Sequence, residues 1–243
     1  LRGEGQLDPE TEKDVRDVYR YFSQDVEAFI AEMKQSMAMD DALADKYRWF
    51  AANWSEDEYV QAYTDQILGE RRRTPYYWHD SRYNRPTQPV VGVNWYEAMA
   101  YAAWLAHVTG KDYCLPTEAQ WEWAARRSVR RYPWGDEWDG GKCNWRGSGL
   151  NASNPVGVYP HGVTEDGLHE LAGNVYEWTT SLYRPYPYRA DDGREAADVE
   201  GLRVARGGSW YIDRDRVRCA YRDGFNPWHW NNNRGFRLAR TLS

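Results

Sequence analysis

The chain has 243 residues and a formal net charge of −6, with 14 Trp and 19 Tyr but only 5 Phe. This length suffices for one large domain, or for one domain with an extension, and for a substantial core. The negative charge argues against a nucleic-acid or anionic-membrane partner, and the short basic run Arg71 to Arg73 fits a solvated loop. Because many indole N–H and phenol O–H groups need partners, we expect an irregular, loop-rich fold with many side-chain hydrogen bonds.

The first 73 residues are predicted to form a helical region without a catalytic constellation. Over residues 11–37, apolar residues recur at three- and four-residue steps, which is typical of an amphipathic helix with Thr11 as its N-cap. A second helix is predicted over residues 41–50, and a third begins at Ser55, where Glu58 completes a capping box. The residues of the first helix expected in the core are Val15, Val18, Phe22, Val26, Phe29, Ile30, Met33 and Met37.

From Thr74 onward the composition changes to Pro, aromatic and Asn residues, so we place a second domain at residues 74–243. A helix is predicted to follow the N-cap Asn94, with Glu97 as its capping-box partner, and to end at Gly110. Residues 113–115 are predicted to be extended. Another helix is expected to begin after the N-cap Thr117, with Gln120 as box partner. Residues 131–160 are rich in Gly, Asn, Trp and Pro, and we expect little regular structure there.

The three cysteines, Cys114, Cys143 and Cys219, are an odd number and have no metal-ligand spacing. We interpret them as reduced thiols of a cytoplasmic protein. The sequence has neither an apolar run long enough to span a bilayer nor a signal peptide. The chain begins at Leu1 rather than Met, which is compatible with a leader or a larger amino-terminal region upstream.

Residues 204–240 combine two kinds of sequence. Residues 204–206 and 235–240 alternate apolar and basic side chains with the period of two expected of strands. Between them, aromatic and short polar residues follow neither a strand nor a helix period. Trp and Tyr offer a large contact area at a small cost in rotamer entropy, and Asn and Asp give adaptable hydrogen bonds. We interpret residues 210–233 as a recognition surface rather than as loops that only cover a core. The predicted ligand-binding residues are Trp210, Tyr211, Asp213, Tyr221, Asp223, Phe225, Trp228, His229, Trp230, Asn231, Asn232 and Asn233.

Six motifs occur in order along the second domain. They are RPTQPVVGVNWYEAMAYAAWL at 85–105, LPTEAQWEWAAR at 115–126, YPWGDEW at 132–138, GLHELAGNVYEWT at 167–179, RGGSW at 206–210 and NRGFRLAR at 233–240. Their order and spacing over residues 74–240 resemble the formylglycine-generating-enzyme (sulfatase-modifying factor) family. The resemblance implies an α+β fold, an irregular variant of the C-type lectin fold, which here follows the helical region at residues 1–73.

Enzymes of this family hold a copper ion between two cysteines five positions apart in the last stretch, since soft thiolates suit Cu(I). In this resemblance Cys219 matches the second cysteine, while Arg214 stands at the position of the first. We therefore expect no copper and no catalytic residues. The five histidines also lack the helix-spaced pattern that the related iron-dependent sulfoxide synthases need.

The resemblance further implies a structural calcium site, formed by the side chains of Glu170 and Glu177 and the backbone carbonyls of Gly173 and Val175. Oxygen ligands with paired negative charge suit a hard cation. The alternative is that both glutamates are ordinary surface acids. A second family site begins at Asn144 and the carbonyl of Trp145, although its remaining acidic ligands are not recognisable in this sequence.

Within this fold, the variable proteins of diversity-generating retroelements share the arrangement of RGGSW, a segment dense in Asn, Tyr, Asp and Ser, and GFR. Adenine-directed mutagenesis of Asn codons produces mainly such residues. We predict a non-catalytic protein that binds a protein or other macromolecular ligand through residues 210–233. Two alternatives stay open: a copper-dependent formylglycine-generating oxidoreductase that tolerates Arg214, and a sensor or regulatory module of a multidomain protein.

Overall fold

The computed structural model describes residue 7, residues 9–36, residue 39 and residues 41–68, 74–127, 129–189 and 191–240. The chain divides into two compact units, Leu1–Arg73 and Thr74–Ser243. The basic run at residues 71–73 lies outside the described residues, as does Met37. None of the helices in the described part of the chain has the length and apolarity needed to cross a lipid bilayer.

The first unit contains helices α1 (Pro9–Gln24), α2 (Val26–Ser36), α3 (Asp41–Asn53) and α4 (Glu56–Leu68). The prediction of a single helix over residues 11–37 is therefore wrong, because Asp25 interrupts the helix and separates α1 from α2. The Asp25 side chain accepts a hydrogen bond from the backbone N–H of Ala28 at 3.0 Å, and so caps α2. The assignment of Thr11 as an N-cap is also wrong, since α1 begins at Pro9 and Thr11 is buried inside its first turns.

The other two helices of this unit confirm their predictions. The Glu58 carboxylate accepts from the backbone N–H of Ser55 at 2.7 Å, and the Glu58 N–H donates to the Ser55 hydroxyl at 3.3 Å. This capping box starts α4. A core of apolar and aromatic side chains joins α1, α2 and α3 around Phe22, Phe29 and Ile30. Val18 is 46% exposed, so its assignment to the core is wrong.

Helices α5 (Trp95–Thr109) and α6 (Glu118–Arg126) lie in the second unit. Both predicted capping boxes are present, at Asn94 with Glu97 and at Thr117 with Gln120. Helix α5 ends at Thr109, and its C-cap Gly110 has a φ of 65° in the left-handed region, as predicted. Between residues 131 and 160, the regular structure in the described chain consists of two short 3-10 helices, Gly140–Lys142 and Arg146–Ser148.

Two sheets complete the second unit. Strands β1 (Tyr113–Cys114) and β6 (Ala239–Arg240) pair antiparallel. The larger sheet contains β2 (Tyr176–Leu182), β3 (Arg203–Arg206), β4 (Arg222–Phe225) and β5 (Arg234–Phe236) in the order β4-β3-β2-β5. Strand β5 runs parallel to β2, and the other neighbours are antiparallel. The strand predicted over residues 235–240 is therefore two strands of different sheets.

Buried tryptophans form much of the core, and their indole N–H groups have partners. The indole nitrogen of Trp95 donates to the Thr179 carbonyl at 2.8 Å, and that of Trp178 donates to the Val93 carbonyl at 3.3 Å. The Arg203 guanidinium lies 4.1 Å from the centre of the Trp95 ring system. It donates to four backbone carbonyls of residues 180–199. As the composition predicts, side-chain hydrogen bonds hold this irregular unit together.

Candidate functional site

Two glycines turn the chain from β3 into the predicted recognition segment. Gly207 and Gly208 have φ values of 89° and 74°. A Cβ atom on Gly208 would lie 2.7 Å from the Arg216 carbonyl oxygen, so a larger residue does not fit there. After this turn, the chain forms a 3-10 helix and then β4 at one edge of the sheet. Residues 226–233 lead from that edge to β5 at the opposite edge.

A cluster of phenols and one carboxylate lies beside β4. The hydroxyls of Tyr176 and Tyr221 donate to Asp223 Oδ2 at 3.4 and 3.3 Å. Burial, together with the nearby Tyr221 and Asp223, raises the pKa of Tyr176. Tyr176 and Tyr221 therefore stay protonated donors at neutral pH, and Asp223 is an acceptor between them. All four residues of β4 are half-buried, so this edge is within reach of a ligand.

Phe225, at the end of β4, is half-buried and contacts two buried residues. Its ring meets that of Tyr176 edge-on at 5.2 Å, and the Arg234 guanidinium lies 4.0 Å from its centre. A cation over an aromatic face is held by the ring quadrupole. Phe225 and Arg234 consequently support the phenol cluster in a fixed position.

Residues 226–233 are held against an earlier segment, residues 76–96. The rings of Trp230 and Tyr76 stack with centres 3.8 Å apart and an angle of 20° between planes. Trp228 lies on Tyr96 with centres 4.0 Å apart. Backbone hydrogen bonds from Gly92 to Asn231, and from Trp95 to Pro227, add to these stacks at 3.0 Å each. Ring stacking and backbone hydrogen bonds therefore pack this loop against residues 76–96.

The predicted ligand-binding residues fall into three groups by the exposure of their side chains. Trp210 and Asn233 are buried, with 6% and 3% of their surfaces exposed, so they support the surface rather than cover it. Asp213 is exposed. The half-buried residues are Tyr211, Tyr221, Asp223, Phe225, Trp228, His229, Trp230, Asn231 and Asn232.

The sequence interpretation missed four residues that contact this surface, of which Tyr176 and Arg234 are buried, with 1% and 7% of their surfaces exposed. Tyr176 and Arg234 belong to motifs that were used only for the family resemblance. Tyr76 and Tyr96 lie in an aromatic-rich segment far earlier in the chain. No sequence signal shows that these side chains contact residues 221–230, because the contacts arise from strand pairing and loop packing.

The predicted calcium ligand Glu170 has the character of a buried acid. It is 9% exposed, and its Oε1 accepts a hydrogen bond from the Gly157 N–H at 3.1 Å. Burial raises the pKa of Glu170 to about 7, and the nearby Glu177 carboxylate contributes to this shift. A cation beside Glu170 would relieve the cost of burying its charge.

Glu177 fits a calcium site less well, because its oxygens already have partners. It accepts from the Trp121 indole N–H at 2.6 Å, from Arg237 Nη2 at 2.6 Å and from Arg237 Nε. No group of three or more His, Cys, Asp or Glu side chains converges as a metal site within the part of the chain that the structure describes. The donor set for calcium therefore fits incompletely, with Glu170 as its strongest member.

The second predicted metal site, at Asn144 and Trp145, stays a prediction. Asn144 is fully buried, and its Oδ1 has no hydrogen-bond partner in the described structure. The Trp145 carbonyl accepts the Ser148 N–H at 2.9 Å and keeps a second lone pair. A buried oxygen of this kind is often satisfied by a water molecule.

The cysteines do not form the two-thiolate pair that copper needs. Cys219 is buried against Trp121, Ala125 and Leu171, and its thiol donates to the Ala125 carbonyl at 3.4 Å. Burial raises the pKa of Cys219 to about 12, so the thiol is protonated at neutral pH. Arg214 is exposed in its 3-10 helix. The residues present therefore do not fit the family's copper site.

Several curated proteins are similar to this chain. The "Serine/threonine-protein kinase pkn1" of Chlamydia caviae is 41% identical over 63% of this chain and 24% of its own length. The "Inactive C-alpha-formylglycine-generating enzyme 2" of Bos taurus is 38% identical over 62% of this chain and 50% of its own length. The "Formylglycine-generating enzyme" of Streptomyces coelicolor is 40% identical over 64% of this chain and 53% of its own length. The chain thus spans between about a quarter and about half of these relatives.

Two solved structures share the fold. PvdO from Pseudomonas aeruginosa is 31% identical, with a TM-score of 0.56 over 65% of this chain and 64% of that one. The Treponema denticola variable protein 1 is 22% identical, with a TM-score of 0.55 over 72% of this chain and 78% of that one. These likenesses confirm the α+β fold of the C-type lectin-like type that the sequence motifs predict.

A comparison of the chain with protein families agrees with the motifs, the fold and the relatives. Residues 24–242 match the family described as "Sulfatase-modifying factor enzyme 1-like domain". The match covers most of the chain, including part of the helical unit. The chain belongs to the sulfatase-modifying factor enzyme 1-like domain family.

Proposed function

We propose that this protein binds a macromolecular ligand without catalysis, through the surface formed by residues 211–232 and supported by residues 76–96. The observation that carries this proposal is the packing of that surface against residues 76–96. Its aromatic rings are fixed by the stacks of Trp230 on Tyr76 and Trp228 on Tyr96. An ordered surface loses less conformational entropy on binding, so more of its contact energy becomes affinity.

The proposal is supported by the state of Cys219, which matches the second cysteine of the family's copper pair. Cys219 is a protonated core thiol, and the exposed Arg214 is not a soft ligand for copper. The fold shared with the variable protein of Treponema denticola supports a scaffold that displays a surface. Oxidation of a cysteine substrate remains the second candidate, because a formylglycine-generating enzyme is among the relatives.

The test uses a displayed library of random peptides and small protein domains, selected on the full chain. We expect clones whose affinity falls about tenfold or more for the Tyr221→Ala/Asp223→Asn double variant. Trp104→Ala is the matched control, since Trp104 is exposed on α5 outside this surface. If the selected clones bind the double variant and the wild type equally, or if none are enriched, residues 211–232 are not the ligand surface.

We also propose that the surface is diversified by a retroelement, which a separate measurement tests. Sequencing the gene and its neighbourhood should show a downstream near-copy of the coding region for residues 204–240, together with a reverse transcriptase gene. The two copies should differ only where the near-copy has adenine. Without such a near-copy, the surface has a fixed specificity and only the diversification proposal falls.

Calcium is proposed as a structural ion, with the Glu170 carboxylate and the carbonyls of Gly173 and Val175 as ligands. The support is the buried Glu170 carboxyl, which accepts from the backbone N–H of Gly157 at 3.1 Å. Because Glu177 is already bonded to Trp121 and Arg237, its contribution requires that it share an oxygen with those donors. A bound ion would fix the turn before β2.

A further inference from the structure

An open pocket of about 630 Å³ lies on the second unit. Two loops line it, residues 130–142 and residues 160–165, and none of its lining residues belongs to the surface at 211–232. A pocket of this size accommodates a small molecule or one or two units of a larger polymer. The six residues that matter for its chemistry are Arg130, Trp134, Asp139, Lys142, His161 and Glu165.

Trp134 gives this pocket an aromatic wall in a fixed orientation. Its ring stacks on Tyr132 with centres 5.2 Å apart and planes within 7° of parallel. Tyr132 is buried, so it covers one face of the indole. The indole N–H donates to the Glu137 carbonyl at 3.0 Å and is therefore already used. Trp134 is half-buried and lines the pocket, so it offers a ligand apolar ring surface.

The rim of the pocket carries charged side chains in pairs of opposite sign. Arg130 lies 2.6 Å from Glu165, and Lys142 lies 3.8 Å from Asp139. An ionic ligand would have to separate these ion pairs. Because each pair is neutral overall, the rim has no net charge that would attract such a ligand. A neutral hydroxyl can instead donate to a carboxylate while it accepts from the neighbouring cation. Two such pairs, with His161 nearby, suit a ligand with several adjacent hydroxyls.

A glycine sets the distance between the two loops. A Cβ atom on Gly162 would lie 1.9 Å from the Lys142 carbonyl oxygen, which is far inside van der Waals contact. The Gly162 N–H donates to the Tyr159 carbonyl at 3.0 Å and closes a turn there. The loop of His161 and Glu165 is therefore held directly against the loop of Asp139 and Lys142.

We propose that this pocket binds a neutral sugar ring of a glycan. The apolar C–H face of a pyranose would lie on the ring surface that Trp134 presents to the pocket. Its hydroxyls would bond to the rim pairs Lys142 with Asp139 and Arg130 with Glu165. The assignment rests on the pocket's own chemistry, since the lectin-like fold by itself implies no sugar binding. It is independent of the proposed ligand surface at residues 211–232.

The test is a glycan array probed with the full chain, followed by calorimetric titration with the methyl glycoside of the best-bound sugar. We expect binding to at least one neutral glycan, weakened about tenfold by Trp134→Leu and severalfold by Glu165→Gln or Lys142→Met. Because Trp134 stacks on the buried Tyr132, its replacement also tests folding. Glu165 has a 74% exposed side chain, so Glu165→Gln keeps the test valid if the Trp134 variant unfolds.

Trp123→Ala is the matched control, since Trp123 is 62% exposed but does not line this pocket. The affinity of the Trp123→Ala variant for the glycan should equal that of the wild type. Three results would overturn the proposal: no neutral glycan bound above background, binding confined to anionic glycans, or affinity unchanged in both Glu165→Gln and Lys142→Met. Loss of binding in Tyr221→Ala but not in the pocket variants would place the sugar on the other surface.

Discussion

At the scale of single residues, Glu170 combines burial with an ionisable group, which makes its contribution to stability dependent on pH. Its pKa in the folded chain is raised from 4.5 to about 7. A carboxyl with a raised folded pKa stabilises the fold when it is protonated, and that contribution is lost as the pH rises through the folded pKa. Glu170 therefore weakens the fold at neutral pH unless a cation compensates its charge.

With a chelator present, we expect the wild type to lose stability relative to Glu170→Gln as the pH rises from about 4.5 to about 7. The full difference in the free energy of unfolding would be on the order of 3 kcal/mol. If calcium binds, adding it at pH 8 should raise the melting temperature of the wild type but not of Glu170→Gln. Parallel pH profiles for the two proteins would show that the Glu170 carboxyl is not perturbed.

The cysteines differ in exposure, and this difference should appear in their reactivity. Cys114 is exposed, whereas Cys143 and Cys219 are buried. Burial raises the pKa of each buried thiol to about 12, which leaves little thiolate to react at pH 8. A chromogenic disulfide reagent for thiols should modify Cys114 quickly in the native protein. It should modify Cys143 and Cys219 only in denaturant. Fast modification of Cys219 would instead revive the hypothesis of a reactive thiol.

At the scale of helices and strands, the capping motifs in the sequence correctly predicted where three helices begin. The capping boxes at Ser55, Asn94 and Thr117 each start a helix in the structure. The break at Asp25 was not predicted, because the apolar periodicity continues on both sides of it. Strand β4 was also missed, since residues 222–225 show no period of two. Its existence depends on pairing with β3, a contact between residues that are distant in sequence.

The loop at residues 226–233 should depend on its stacking partners for order. Trp230→Ala removes the ring that stacks on Tyr76, and such pairs contribute about 1 kcal/mol. We expect backbone amide exchange in residues 226–233 to rise severalfold, while protection of β2 and β3 stays unchanged. Trp104→Ala is the control, and it should leave both regions as they are. Equal loss of protection in the sheet would mean that Trp230 is a core residue of the whole unit.

At the scale of the whole molecule, the family and the fold of the second unit were predictable, because six motifs in order identify them. The candidate surface was predictable only in part. The sequence indicated residues 210–233 from composition, but it did not separate the buried Trp210 and Asn233 from their half-buried neighbours. It also did not indicate Tyr76 and Tyr96, whose role comes from packing between distant segments.

The chain also matches only part of each curated relative. The hypothesis that the chain is a sensor or regulatory module of a multidomain protein stays a prediction.

The claim that residues 211–232 serve recognition rather than folding is tested most directly by saturation mutagenesis of residues 210–233 on the displayed chain. Resistance to protease would report folding for every variant. We predict that the exposed Asp213 and the half-buried Asn231 tolerate most substitutions, whereas the buried Trp210 and Asn233 tolerate few. If Asp213 and Asn231 prove as intolerant as the buried pair, their side chains hold the fold together and the recognition surface is contradicted.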